Sequence, residues 1–189
     1  MLNALIVIDF INDIVHPQGK IPSCALQVSQ KQVIANANVA IRWAREHHHL
    51  LVFIKVGFHP SYQDQPKRSP MFGKANEIGA LQLDAWGTQF HDDLDVQNSD
   101  LVVVKPRVNP FFNTSLDSIL RANQIDSVFL CGVSTGWAIE SAARDAHDRD
   151  YSVHIVADAC TAHSEDEHQT SLQLLERIAT LHQASLLNE

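Results

Sequence analysis

The chain has 189 residues, 45% of them hydrophobic, and its 14 Lys and Arg against 22 Asp and Glu leave a net charge of -8. That length and apolar content suit one core, so a single domain spanning 1–189 is expected. The acidic balance, with no basic run longer than Pro66-Lys-Arg68, excludes a nucleic-acid footprint. The opening run Met1-Leu-Asn-Ala-Leu-Ile-Val-Ile-Asp9 is too short to span a membrane and lacks the marks of a signal peptide, so a cytoplasmic protein is expected.

In chain order, the first Val- and Ile-rich run covers 4–8, and a helical segment over 31–48 leads to a second run at 50–55. Between 57 and 100, Pro60, Pro66, Pro70, Gly73, Gly79 and Gly87 break any long periodicity, as in a binding loop or lid. Further apolar runs follow at 101–104, 127–130 and 153–157. They are separated by helical segments at 114–123, 136–149 and 164–178, with a last strand at 184–187. Thr114-x-x-Asp117 and Ser164-x-x-Glu167 resemble capping boxes. Short apolar runs alternating with helices predict an α/β fold of three α/β/α layers around a mainly parallel twisted sheet, Rossmann-like in organisation.

His47-His-His49 reads as a solvated helix end, because consecutive helical residues point in different directions. The odd set Cys24, Cys131 and Cys160 lacks Cys-x-x-Cys spacing and reads as free thiols, with Cys131 and Cys160 packing.

Ligands of open α/β sheets collect at the carboxyl ends of strands. Asp9 stands there after the first run, either as a cap for the following turn or as a carboxylate at a pocket mouth. Lys105 stands in the corresponding place after 101–104, as an exposed strand-end lysine or as a site residue. The two can meet if their strands are neighbours. The run 127–130 leads through Cys131-Gly-Val-Ser-Thr135 into a helix opening at Gly136, whose free N–H groups suit an anion. No Gly-x-Gly-x-x-Gly or Gly-x-x-x-x-Gly-Lys pattern supports nucleotide binding.

Three segments resemble the isochorismatase-like (cysteine hydrolase) family: Ala4-Leu-Ile-Val-Ile-Asp-Phe10, Val103-Val-Lys-Pro-Arg-Val-Asn-Pro-Phe111, and Cys131-Gly-Val-Ser-Thr-Gly-Trp-Ala-Ile-Glu-Ser-Ala-Ala-Arg-Asp-Ala146. The resemblance implies a catalytic Asp9 and Lys105, and it places the nucleophile position on Ala138, where the family cysteine is absent. It also implies a non-proline cis peptide at Val133–Ser134, with the Ser134 and Ala138 N–H groups as oxyanion donors. A branch of the family without the cysteine cleaves a vinyl ether, with the matched aspartate as proton donor. Asp166-Glu-His168 and Trp86-Gly87 resemble that branch. The arginine expected seven residues before that tryptophan is Gly79 here, which leaves Arg107 or Lys74 as substitutes.

Phe58-His59-Pro60 offers one histidine with no second nearby, so neither a metal nor any other cofactor is expected, and His59 is either a pocket residue or a surface one. Phe10, Trp86, Phe111, Phe112 and Trp137 are pocket walls or core. The expected function is cofactor-free hydrolysis of a small molecule by Asp9 and Lys105 in a homo-oligomer. The alternatives are an inactive binding relative, or a cysteine amidohydrolase whose nucleophile Ala138 replaces.

Overall fold

The computed structural model describes residues 2–187. Six parallel strands form one sheet: β1 (Asn3–Ile8), β2 (Leu50–Val56), β3 (Leu101–Lys105), β4 (Ser127–Val133), β5 (Ser152–Thr161) and β6 (Thr180–His182). Their order is β3-β2-β1-β4-β5-β6. β1 is fully buried from Ala4 onward and β4 throughout, which is why both read as continuous apolar runs rather than alternating ones.

The chain runs from β1 outward to β2 and β3, then crosses back to β4 and continues outward the other way. Right-handed crossovers therefore put the β1–β2 helices on one face, α1 (Asn12–Val15), α2 (Ala25–Gln30) and α3 (Val33–Glu46). The other face takes α5 (Leu116–Ala122), α6 (Glu140–Asp148) and α7 (Glu165–Leu175). The order reverses between β1 and β4, and at that point the carboxyl ends of the strands leave a crevice. Asp9 follows β1 and Ser134 follows β4, so both stand at the reversal.

Several elements differ from the sequence reading. The helix expected over 31–48 is α3 at Val33–Glu46, and a further helix, α2 at Ala25–Gln30, precedes it, the two divided where Gln32 takes a left-handed φ of 53°. The helix expected from 136 begins as a π turn over Thr135–Ile139 before α6. The last strand is Thr180–His182, and Ala184–Leu186 is a 3-10 turn: β6 pairs with β5 at 180–182, and Ala184 N–H then turns to donate to Asp158.

Of the two expected capping boxes, Ser164 Oγ does accept from Glu167 N at 3.2 Å. Thr114 Oγ1 accepts from Leu116 N instead, and Asp117 receives the Tyr151 hydroxyl, so no box forms there.

The segment between β2 and β3 holds only α4 (Ala75–Ile78) and a 3-10 turn at Trp86–Thr88. It is nevertheless anchored, because Phe58, Tyr62, Phe72, Ala80 and Leu81 bury a small second core with Ile11 and Val56. Buried Asp13 adds a polar tie, accepting from Lys20 N at 3.1 Å and from Leu81 N at 2.7 Å. The long loop is thus a fixed wall next to the carboxyl ends of β1 and β2. Among the described residues no helix is long and apolar enough to cross a membrane.

Candidate functional site

A cavity of about 300 Å³ opens at the strand reversal. Its polar floor is Asp9, Lys105 and Ser134, and Ala138 and Trp137 form part of the wall. The long loop contributes Met71, Phe72 and Leu81, and the chain after β1 contributes Ile14, Ile21 and Cys24. Mostly apolar walls with a few convergent polar groups are the usual make-up of a small-molecule site.

Asp9 is buried and takes a left-handed φ of 59°, a conformation aspartate adopts more readily than most residues. This turn aims its carboxylate back across the sheet. Oδ1 accepts from Val56 N at 2.7 Å, and Oδ2 lies 2.7 Å from Lys105 Nζ. Lys105 is 1% exposed, and its ammonium also donates to the carbonyls of Arg107 at 3.2 Å and Val108 at 3.0 Å. All three of its protons are engaged. Burial raises the Asp9 pKa above its ordinary value, and the Lys105 charge and hydrogen bond oppose that rise without cancelling it.

The third side of the site rests on Gly132. The pairing of β4 with β5 shifts register between Leu130 and Gly132, with the extra residues on β5, and Gly132 takes a φ of +135°. A Cβ there would sit 2.1 Å from the Ile8 carbonyl oxygen, so glycine is required for β4 to pass the end of β1. The peptide bond that follows, Val133–Ser134, is cis. Beyond it, the Trp137 and Ile139 N–H groups both donate to Ser134 O at 3.2 Å, closing the turn that carries Ala138 into the cavity. Thr135 fixes this turn to α7 through a 2.7 Å bond between its Oγ1 and His168 Nδ1. Burial lowers the His168 pKa and favours its neutral ring.

The structure brings Asp9, Lys105, Ser134, Trp137 and Ala138 together. It does not bring Phe10, His59, Trp86, Phe111 or Phe112 to the cavity. Phe10 is fully buried in the main core, because it leaves the backbone away from its neighbour Asp9. Phe111 is also core, stacked on Tyr151 and covered by Arg149. Trp86 is exposed and meets His16 edge-on, and Phe112 is exposed. His59 faces outward, its Nδ1 2.7 Å from Ser61 Oγ.

Neither proposed substitute for the absent arginine reaches the site. Arg107 donates to the carbonyls of Asp64 and Pro106, and Lys74 is exposed. Cys131 and Cys160 are buried in the core, and burial pushes Cys160 up to about 12 and Cys131 well above its usual range.

Sequence reasoning did not place Cys24, His163 or Glu167 at the cavity. For Cys24 no local pattern marks it, because the loop after β1 folds back by tertiary contacts. Glu167 was legible only as a capping partner. Burial pushes the Cys24 thiol up to about 11, so little thiolate is present near neutral pH. Among the described residues no group of three or more His, Cys, Asp or Glu is arranged to hold a metal ion.

Residues 3–184 match the family model described as the isochorismatase domain. The chain belongs to the isochorismatase family. An uncharacterized isochorismatase family protein of Bacillus subtilis, YwoC, is 32% identical over 144 residues, 76% of this chain and 75% of that protein. An isochorismatase family protein from Desulfovibrio vulgaris superposes with a TM-score of 0.87 at 22% identity, covering 98% of this chain and 96% of that one. N-carbamoylsarcosine amidase from Thermoplasma acidophilum superposes with a TM-score of 0.78 at 24% identity over the whole of both chains. These two likenesses establish a shared fold for the isochorismatase family member described here.

Proposed function

We propose that this isochorismatase family member hydrolyses a small molecule by acid–base chemistry at Asp9, without a cysteine nucleophile and without a cofactor. The observation that carries the reading is the buried carboxylate of Asp9 at the cavity wall, 2.7 Å from the Lys105 ammonium, with a methyl group at position 138. A buried carboxyl with a raised pKa holds a proton into a pH range where an ordinary one has lost it, as a general acid must.

Asp9 gives its proton to the substrate carbon, and water adds to the electron-poor carbon that results and returns a proton to Asp9. The hemiketal so formed collapses to a carbonyl as its ether C–O bond breaks and the hydroxyl proton leaves with the departing oxygen as an alcohol. Lys105 keeps the carboxylate oriented and stabilises it after proton transfer. The Ser134 and Ala138 N–H groups are the proposed donors to developing negative charge. Vinyl-ether hydrolysis fits this sequence of steps, because it needs a proton delivered to carbon and no attacking thiol.

The test is a panel of small vinyl ethers, esters and amides, with isochorismate as its dianionic member, assayed with the native protein, Asp9→Asn and Ala138→Cys. The expected result is turnover that iodoacetamide leaves unchanged and that Asp9→Asn removes. Turnover surviving Asp9→Asn overturns the assignment. Exposed Leu101, Val102 and Val104 on edge strand β3 support the accompanying proposal of a homo-oligomer.

A further inference from the structure

The cavity contains an acidic side chain that makes no hydrogen bond or ion pair among the described residues. Three acids open α7: Glu165 pairs with Lys31, Asp166 is exposed, and Glu167 lines the cavity. The helix dipole favours acids in a first turn, which accounts for an acid at 167 but not for its direction. Only the Glu167 backbone N–H is used by the cap; among the described residues its carboxylate makes no hydrogen bond or ion pair.

Gly136 sets that direction. A Cβ at 136 would lie 2.8 Å from Glu167 Oε1 and 3.1 Å from Ser171 Oγ, so the absence of a side chain leaves room for the carboxylate against the turn that carries Ala138.

The remaining charges at the cavity are already spent on protein partners. Lys105 gives its three protons to Asp9 and to the Arg107 and Val108 carbonyls, and no other Lys or Arg lines the cavity. His163 Nδ1 lies 3.1 Å from the Ser23 carbonyl, which can only accept, so this nitrogen is already engaged as a donor. Among the described residues an anionic ligand finds no lysine or arginine free to meet it, and it faces the carboxylate of Glu167. A cationic one finds an unpaired carboxylate beside apolar walls.

We infer that the cavity selects a small molecule with an apolar body and a protonated amine, whose ammonium is bound by Glu167. The inference rests on reading this cavity as the substrate site of the hydrolase. Glu167 is then the residue that sets specificity, and a dianion such as isochorismate is excluded as the preferred substrate.

Benzylamine, benzyl alcohol and benzoate share a ring and differ in charge, and their binding by calorimetry near neutral pH tests the assignment. Benzylamine is expected to bind the native protein at least about tenfold more tightly than benzoate. Glu167→Gln is expected to weaken benzylamine about tenfold while leaving benzyl alcohol unchanged. Gly136→Ala, which displaces the carboxylate rather than removing it, is expected to act the same way. Because Ser164 caps α7 through the backbone of residue 167, an unchanged melting temperature of Glu167→Gln verifies its fold.

Benzoate binding as tightly as benzylamine, equal loss of all three probes in Glu167→Gln, or no benzylamine binding at millimolar concentration overturns the inference. Binding is read without turnover. A protein that ranks the probes as expected but hydrolyses nothing sinks the hydrolase reading alone, whereas one that hydrolyses its panel but prefers benzoate sinks this inference alone.

Discussion

Lys105 reaches Asp9 from a strand that does not touch Asp9's own: β2 lies between β1 and β3, and the ammonium crosses over the end of β2 at Val56. Val56 is the register partner of Lys105, and its N–H donates to the other oxygen of the same carboxylate. Three strand ends therefore converge on one buried charge pair.

This arrangement predicts an asymmetry between the two truncations. Asp9→Asn leaves a buried ammonium without its anion and should cost about 3–5 kcal/mol. Lys105→Met leaves a carboxyl that can neutralise itself by keeping its proton. Its folded pKa then rises further above the unfolded value, so its contribution to stability is complete below the unfolded pKa and is lost as pH rises through the folded one. Chemical denaturation of both variants at mildly acid and mildly alkaline pH checks this. Lys105→Met should approach the native protein in acid, and equal losses at both pH values would contradict it.

Native Asp9 follows the same sign. Its folded pKa is raised from the ordinary 3.8, so the proton stays on in the folded state over a window where the unfolded chain has lost it. If Asp9 is the general acid, kcat/KM falls as pH rises through that folded value. A carbon-detected NMR titration of the Asp9 carboxyl should give a midpoint above 3.8 that coincides with the kinetic limb. A midpoint at or below 3.8 would remove the acid role.

Gly132→Ala should be among the most damaging single-methyl additions in the chain, because it combines a φ of +135° with a Cβ 2.1 Å from the Ile8 carbonyl. A loss of about 3 kcal/mol or more is expected in urea unfolding, together with loss of site geometry. Alanine tolerated within about 0.5 kcal/mol would show that the close approach of β4 to the end of β1 is dispensable.

Ala138→Cys places a thiol in the cavity, on the turn beyond Ser134, whereas burial holds Cys24 up to about 11 and Cys160 up to about 12. Iodoacetamide followed by peptide mass spectrometry should label position 138 first in this variant. The three native cysteines should label slowly in the native protein. Rapid labelling of native Cys24 would contradict the burial argument.

Among the described residues, buried Thr161 Oγ1 has no hydrogen-bond partner. Thr161→Val keeps the shape and removes a polar atom that gains nothing from burial, so the variant should be as stable as the native protein or up to about 1 kcal/mol more so. A thermal melt decides the sign.

How much of this was legible in the sequence follows from what each feature depends on. The parallel sheet was readable, because β1 and β4 are buried along almost their whole length and so had to be continuous apolar runs. Asp9 and Lys105 stood out as charges ending such runs, but their meeting across β2 was not readable, since strand order is set by crossovers rather than by local pattern. Phe10 and Phe111 misled because a large aromatic has the same signature in a core as in a pocket wall. Glu167 was visible as a helix-start acid. Its turn toward the cavity depends on Gly136, some thirty residues earlier, which touches it only in the folded chain.

β3 is the outermost strand on its side, joined to the sheet by β2 alone, with Val102 and Val104 each 40% exposed. Lys105 is its last residue. A local opening that frays this one strand would carry the ammonium away and strand the carboxylate, while the central strands stayed folded. Under the proposed acid role of Asp9, competence for chemistry is bounded by the local stability of this edge strand rather than by the global unfolding free energy.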